Sequence, residues 1–388
     1  MTVTGPVLKK AAVIGGSLAG LSTAVVLGRV GYDVALYEQS FRTLRSQGAG
    51  VVLKPQVELL LERFGVVAPE KIATSCSERQ YLRADGSCDR TLAMPQRFTA
   101  WNVLYRHLRA SISDECYHLG QRVITVDDGD KSATLHFADG QRYKADLVIA
   151  ADGWNSSVRR ALLPAVKPVY AGYVAWRGVV DERDLPEEVL EVFTDRFTFF
   201  EVPNGRHCLC YLVPGADGEL EPGLRRLNWV WYVDVDSGAG LDFQLTDSGG
   251  ERRGVSVPPG SASEAFITAV YKRAKSTLPS VFAELVCSTR EPFVQAIADL
   301  ASPRMAWQRC ALVGDAAFVP RPHIAASTAK AVGDVLALAE ALEQAGVGNE
   351  PVALRRWEPE RLAVGRQLGK QGRQLGLRSP IIKRPASQ

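Results

Sequence analysis

Ala11-Ala12-Val13-Ile14-Gly15-Gly16-Ser17-Leu18-Ala19-Gly20 is the stretch that decides the fold. Its first four residues are apolar and suit a strand buried on both faces of a parallel sheet. A tight turn follows, residues 21–31 read as a helix, and residues 33–38 (Asp-Val-Ala-Leu-Tyr-Glu) read as a second strand. That order of elements is the setting in which a Gly-rich turn binds a dinucleotide. Gly15 permits the turn and Gly20 permits close helix–strand contact. From Gly16 through Ser17, Leu18 and Ala19, the helix N-terminus presents backbone N–H groups and a positive dipole to a pyrophosphate. Ser17 holds the middle position where glycine is usual, and its small side chain still admits a phosphate. Glu38, at the end of the second strand, is placed to accept hydrogen bonds from adenosine ribose hydroxyls. A plain tight turn of another α/β protein is the competing reading, and the spacing to Glu38 argues against it.

Residues 11–28 carry no charge, but four glycines, two serines and a threonine break the run into strand and helix. A membrane span or signal segment is therefore not expected.

Further along, Asp152-Gly153-Trp154-Asn155-Ser156-Ser157-Val158-Arg159 ends another buried strand, residues 146–151. Gly314-Asp315-Ala316-Ala317 follows the short strand at 310–314 and precedes a helix at 325–342. An Asp at a strand end can hold a ribityl hydroxyl. The N-terminus of the next helix then faces the pyrimidine edge of the ring, where its dipole stabilises the negative charge of a reduced flavin. Three motifs so spaced describe a flavin enclosed by a chain that leaves its nucleotide domain and returns to it.

With 388 residues, 46% of them hydrophobic, the chain can bury a large core in two or more lobes. A net charge of +3 makes no electrostatic case for nucleic acid. Seven scattered cysteines form neither a zinc framework nor a disulfide scaffold, which favours a reducing, cytoplasmic setting. Cys208 and Cys210 share one strand face and read as core. Residues 169–235 alternate aromatic strands with Pro-Asn-Gly and Pro-Gly turns, as in a mostly antiparallel sheet. Helices are expected at 54–64, 263–278 and 352–375, a loop at 238–260 and a loose tail in the last ten residues. The basic run 355–370 reads as a solvated helix face.

The fold expected is α/β: a Rossmann-like FAD-binding domain interleaved with a mostly antiparallel-sheet substrate domain, plus a C-terminal helix. FAD-binding segments are expected at 1–75, 101–165 and 286–345, and substrate-domain segments at 76–100 and 166–285. Residues 346–388 form the helix and tail.

On Val-Ile-Gly-Gly-Ser-Leu-Ala-Gly-Leu, Asp-Leu-Val-Ile-Ala-Ala-Asp-Gly-Trp-Asn-Ser-Ser-Val-Arg and Ala-Leu-Val-Gly-Asp-Ala-Ala, nearly the whole chain resembles the FAD-dependent aromatic hydroxylases. These are the para-hydroxybenzoate hydroxylase class of single-component flavoprotein monooxygenases. Two further stretches, Tyr170-Ala-Gly-Tyr-Val-Ala-Trp-Arg-Gly178 and Pro320-Arg-Pro-His-Ile-Ala-Ala326, look closest to the 2,6-dihydroxypyridine 3-hydroxylase branch. The resemblance implies FAD, NADH or NADPH as electron donor, O2, and a small hydroxylated aromatic or heteroaromatic substrate hydroxylated through a flavin C4a-hydroperoxide. It implies that Asp152 and Gly153 contribute to FAD and nicotinamide binding, with no metal, no membrane and no nucleic acid, in a monomer or homodimer.

The sequence departs from the family at several points. Phe318 stands where many members have His, Ala325 and Ser327 replace two glycines at the start of the following helix, and Tyr105 holds the register of an Arg, with Arg106 one step off. Gly314, Asp315, Ala325, Ala326 and Ser327 remain the expected contacts to the flavin ring and ribityl chain. The substitutions leave room for an epoxidase, oxidase or Baeyer–Villiger enzyme on the same fold, or for a flavin-binding redox protein without turnover.

His323, beside Pro322, is the candidate base for a substrate hydroxyl, on the expectation that its pKa suits neutral pH. A loop histidine satisfied by backbone groups is the alternative. Arg177 is placed to meet the flavin edge, an acidic substrate or nicotinamide phosphates, unless it forms a sheet-edge salt bridge. Tyr211, Trp229 and Trp231 are expected pocket walls, with core packing as the alternative; Phe197, Phe199 and Phe200 are equally ambiguous.

Overall fold

The structure is a computed structural model that describes residues 8–42, 49–203, 205–346 and 348–376. The chain begins with β1 (Lys9–Ile14), α1 (Leu18–Val30) and β2 (Tyr32–Tyr37), then runs through β3 (Gly50–Leu53), α2 (Pro55–Arg63), β4 (Thr74–Leu82) and β5 (Cys88–Ala100). It continues with α3 (Trp101–Ala110), β6 (Tyr117–His118), the meander β7 (Val123–Asp128), β8 (Ala133–Phe137) and β9 (Arg142–Ala145), and then β10 (Leu147–Ala150) and α4 (Ser157–Leu162). A second excursion comprises β11 (Val169–Asp181), α5 (Glu187–Phe193), β12 (Arg196–Glu201), β13 (His207–Val213), β14 (Arg226–Asp234), α6 (Ala239–Leu245), β15 (Ser256–Val257), α7 (Glu264–Thr277), α8 (Ser280–Cys287) and β16 (Phe293–Ala301). β17 (Cys310–Leu312), β18 (Phe318–Val319), α9 (Ser327–Ala345) and α10 (Glu350–Gly376) complete it.

Five strands form a parallel sheet in the order β17-β10-β1-β2-β6. The central strands β1 and β10 are apolar runs buried on both faces, as helix-covered parallel sheets require. A ten-stranded sheet runs β15-β16-β11-β14-β13-β12-β4-β5-β3, with β18 attached to β16; only the β12–β4 pair is parallel. β3 and β16, assigned by sequence to nucleotide-domain segments, hydrogen-bond into this second sheet.

The period-2 alternation of the second sheet separates two cores. His207, Leu209 and Tyr211 on β13 and Val230 and Tyr232 on β14 face the nucleotide layer. Cys208, Cys210, Trp229 and Trp231 face a separate core beneath α7 and α8.

Two sequence expectations are corrected. The stretch 238–260 is not all loop: α6 forms there because Leu241 and Leu245, one turn apart, are both buried and Gln244 accepts a hydrogen bond from Trp176 Nε1 at 2.8 Å. The basic run at 355–370 is not wholly solvated, since Arg361 is buried and reaches Asp334 at 2.9 Å. The tail expectation falls largely outside the described residues. No described helix is long and apolar enough to cross a membrane.

Candidate active site

The three motifs meet in space. Gly15 adopts φ +100°, and a Cβ there would lie 2.5 Å from the carbonyl oxygen of Ala151, beside Asp152. A Cβ on Gly20 would sit 1.8 Å from the Gly15 oxygen, so α1 enters this close only because residue 20 is glycine. Gly314 adopts φ +60°, and a Cβ there would sit 3.3 Å from Ala19 Cβ. Arg159 is almost wholly buried and ties the second motif to the third, donating to the carbonyls of Ala316 (3.0 Å) and Trp154 (2.6 Å). Its place at the end of the second motif was visible in sequence, but its tethering role was not.

Beneath the third motif lies a buried charge cluster that sequence reasoning missed. Asp334 accepts the Gly314 N–H at 3.0 Å, and Lys330 donates to the Gly314 carbonyl at 2.7 Å. Lys330 and Arg361 both pair with Asp334, at 2.8 and 2.9 Å. Both polar groups of Gly314 are thus held, and Asp315 is aimed into the cavity described below. Burial pushes the Asp315 carboxyl up, opposed by a hydrogen bond from Ser327 at 2.6 Å and by the Lys330 charge.

Glu38 is buried and accepts the N–H groups of Gly16 (2.7 Å) and Ser40 (2.8 Å). Asp152 caps α4 through one oxygen, accepting the Ser157 N–H at 2.8 Å. Its other oxygen is buried without a partner, and burial raises its pKa.

Neither Tyr105 nor Arg106 lines the cavity: α3 starts at Trp101 because β5 runs on to Ala100, and Trp101 is the residue of this helix that lines it. The Tyr105 ring stacks behind Trp101 at 5.0 Å, and its hydroxyl lies 3.3 Å from that of Tyr117. Arg106 turns outward to Asp217 at 3.2 Å.

A cavity of about 560 Å³ lies between the cofactor loops and the second sheet, well within the range of small-molecule sites. Ser17, Leu18, Ala19, Gly153, Asp315 and Ala325 through Ser327 line one wall. Phe197, Phe199, Leu209, Tyr211, Val230 and Tyr232 line the other, with Pro322 and His323 at one end and Arg177 on β11. Trp229 and Trp231 do not line it. Val230 and Tyr232 occupy the inward positions of β14, so the tryptophans face the opposite core, where Trp229 Nε1 bonds Thr289 Oγ1 at 2.8 Å. Phe200 lies on that far side as well.

At the Pro322 end, the Tyr173 hydroxyl is 2.7 Å from His323 Nε2. The Tyr232 and His207 rings lie 4.4 and 5.2 Å from the His323 ring, centroid to centroid. His207 is therefore also part of the site. The expectation that His323 titrates near neutrality is also corrected. Burial first, then His207, Arg206 and Arg321, push it down to about 3, and burial and Arg206 push His207 to about 4. His323 Nδ1 is buried and has no partner among the described residues.

FAD fits what is present. The Gly15–Gly20 cradle would be filled by added Cβ atoms: one on Gly16 would meet the Tyr117 hydroxyl at 2.3 Å. The orphaned atoms Asp152 Oδ1, Arg177 Nε and His323 Nδ1 belong to residues in or against the same site. Gly15 through Gly20 and Glu38 would hold the adenosine and pyrophosphate, and Asp315 and residues 325–327 the ribityl and ring.

Comparison with known proteins agrees with this geometry. A family model described as an FAD binding domain matches residues 9–202, and one described as FAD binding domain-like matches 170–299. The chain is 35% identical over 364 residues to a 2,6-dihydroxypyridine 3-monooxygenase of Paenarthrobacter nicotinovorans, covering 93% of this chain and 89% of that protein. It is 28% identical to a 6-hydroxynicotinate 3-monooxygenase of Bordetella bronchiseptica, covering 90% and 87%. The solved structure of 2,6-dihydroxypyridine-3-hydroxylase from Arthrobacter nicotinovorans superimposes with a TM-score of 0.88 at 33% identity, covering 96% of this chain and 93% of that one.

Proposed function

The chain belongs to the FAD-dependent aromatic hydroxylases, and from that premise we propose that its cavity binds a hydroxypyridine-like or phenolic ring with the reacting hydroxyl at His323. The enzyme is an FAD-dependent monooxygenase that uses NAD(P)H and O2 to hydroxylate a small hydroxylated aromatic or heteroaromatic substrate. The observation that carries the placement is the single cavity joining Asp315 and residues 325–327 to an aromatic wall, with a partnerless imidazole nitrogen at its end.

Bound FAD, reduced by the nicotinamide, supplies activated oxygen; the protein's part is to seat the ring, exclude water and favour ionisation of its hydroxyl. Phe197, Phe199, Tyr211 and Tyr232 supply flat apolar surface for the ring. His323 stays neutral, so Nδ1 is free to accept the substrate O–H while Nε2 faces the Tyr173 hydroxyl. Burial first, then the charges of His207, Arg206 and Arg321, keep His323 unprotonated; the two arginines, each also paired with an Asp, offset part of the cost of ionising a hydroxyl beside it. A more electron-rich ring is the better target for electrophilic oxygen. The scattered free cysteines support a reducing, cytoplasmic setting.

The test follows nicotinamide oxidation and product mass together across hydroxypyridines and phenols. A product with one added oxygen is expected. Nicotinamide oxidation that yields hydrogen peroxide alone with every ring would overturn the reading.

A further inference from the structure

The cavity wall carries positive charge that the protein does not neutralise. Lys54 and Arg79 both line it, on either side of Gln96. Lys54 directly follows β3, Gln96 lies on β5, and Arg79 lies on β4, three neighbouring strands.

Arg79 donates Nε–H to the neutral Gln96 Oε1 at 2.9 Å, and its guanidinium stands 5.2 and 5.6 Å from the Phe197 and Phe199 ring centroids. Gln96 orients the guanidinium without cancelling its charge. Among the described residues, neither Lys54 nor Arg79 has a carboxylate oxygen within 4.0 Å. The nearby acids are engaged elsewhere, Glu78 with Arg196 and Glu58 with Arg97. Outside the described residues the sequence contains no Asp or Glu.

Lys54 is also the N-cap of α2, where the helix dipole is positive and a cation is disfavoured. Burial and the Arg79 charge accordingly hold its pKa down. Two half-buried cations and a positive helix end in one corner are mutually repulsive unless an anion sits between them. The only carboxylate lining the cavity, Asp315, belongs to the cofactor wall.

We infer that the Lys54–Arg79 corner is a seat for an acidic group of the substrate, so that this enzyme takes aromatic acids, with a carboxylate on the ring or on a short side chain, in preference to the neutral parent rings. This rests on the proposed hydroxylase reading. Phe197 and Phe199 supply the ring surface beside the seat, and two charge-assisted bonds to the carboxylate supply the selectivity. One such bond is worth roughly ten- to a hundredfold in affinity.

The test titrates FAD-loaded protein with matched pairs and follows the flavin absorbance: 2-hydroxypyridine against 6-hydroxynicotinate, and phenol against 4-hydroxybenzoate and 4-hydroxyphenylacetate. At least one acid is expected to bind ten times more tightly than its neutral parent. Arg79→Gln and Lys54→Met are each expected to remove most of that ratio, the acid losing far more affinity than the neutral ring. Removing one member of a like-charge pair should not lower the unfolding temperature, and the two independent variants guard against misfolding of either. Equal or weaker binding of every acid, or an acid-to-neutral ratio unchanged in both variants, overturns the inference. So does a loss confined to NADPH relative to NADH, which would assign the corner to a nucleotide phosphate. Hydroxylated product from a neutral ring without acid preference would leave the hydroxylase reading standing and remove only this seat; no product from any ring would remove the hydroxylase reading itself.

Discussion

The Tyr173 hydroxyl lies 2.7 Å from His323 Nε2, and this contact joins the first strand of the second excursion to the loop that follows the third cofactor motif. The Arg206 guanidinium stacks 3.6 Å from the Tyr173 ring centroid and donates to the Gly376 carbonyl at the end of α10. Arg321, two residues before His323, pairs with Asp299 at 2.7 Å. The imidazole is therefore buried beside fixed cations, each paired with an Asp, and burial more than their charge keeps it neutral.

That neutrality has a pH signature in stability. His207 and His323 titrate near 6.5 when unfolded but near 4 and 3 when folded. Between those values the unfolded state binds more protons than the native one, so stability is fully present above about pH 6.5 and is lost as pH falls toward 4. Each group contributes a slope of up to about 1.4 kcal/mol per pH unit. Denaturation at fixed excess FAD should show this decline, and His207→Gln should flatten it by about one proton; equal slopes in parent and variant would show that the histidine is not buried neutral.

Glu38 is held by two backbone N–H groups, Gly16 and Ser40, at the position assigned to the ribose. Glu38→Ala should weaken FAD retention about ten- to a hundredfold, the range for lost bonds to a charged acceptor. Ultrafiltration of the holoenzyme with quantitation of released FAD is the measurement, and unchanged retention would remove Glu38 from the cofactor site.

The nucleotide fold was legible in the sequence because each of its signals is local. Ala11–Ile14 is apolar without interruption, and Gly15 and Gly20 are glycines because a Cβ there would collide with nearby backbone. The second sheet was legible as alternation but not as parity. Trp229 and Tyr232 both lie on one aromatic strand, and nothing local says which phase faces the cofactor. Contacts across long separations were not legible at all. His207 meets His323, and Arg361 meets Asp334, only because distant strands and helices stack.

Ala325 adopts φ +47°, a left-handed conformation that costs a non-glycine residue about 1–2 kcal/mol. It stands at the mouth of α9. Ala325→Gly should release that strain, offset by about 0.4–1 kcal/mol of added unfolded-state entropy. The expected net effect is a stability gain between zero and about 1.5 kcal/mol, read by denaturant unfolding, with FAD binding retained. A clear loss of stability would mean that the alanine methyl makes packing contacts that outweigh the strain.

The buried cluster under Gly314 predicts a different failure. Asp334→Ala would leave the buried Lys330 without its carboxylate, Arg361 with only the exposed Glu360, and the Gly314 N–H unpaired. Breaking such a pair costs about 3–5 kcal/mol. Asp315 loses its support at the same time, so FAD should dissociate more readily even at temperatures where the apoprotein stays folded. Circular dichroism and FAD titration separate the two effects, and a stable variant with tight FAD would show that the cluster does not position the turn.

The last prediction concerns His323 itself. Its Nδ1 is buried and has no partner among the described residues, and burial keeps its ring neutral across the physiological range, so in the proposed reading it would accept a hydrogen bond from the substrate hydroxyl and polarise it. The parent's hydroxylation rate should therefore show no inflection near pH 6.5 from this residue; it should instead follow ionisation of the substrate. His323→Ala should keep the flavin spectrum, hydroxylate about ten- to a hundredfold more slowly and divert nicotinamide-derived electrons to hydrogen peroxide. Raising the pH until the substrate ionises unaided should restore part of the coupling. Tyr173→Phe removes the hydroxyl that faces Nε2 and keeps the ring, so it should produce a weaker form of the same uncoupling without loss of FAD. If His323→Ala couples as well as the parent at every pH, the imidazole is only a packing element of the Pro322 loop, and the reacting hydroxyl must be sought elsewhere along the aromatic wall.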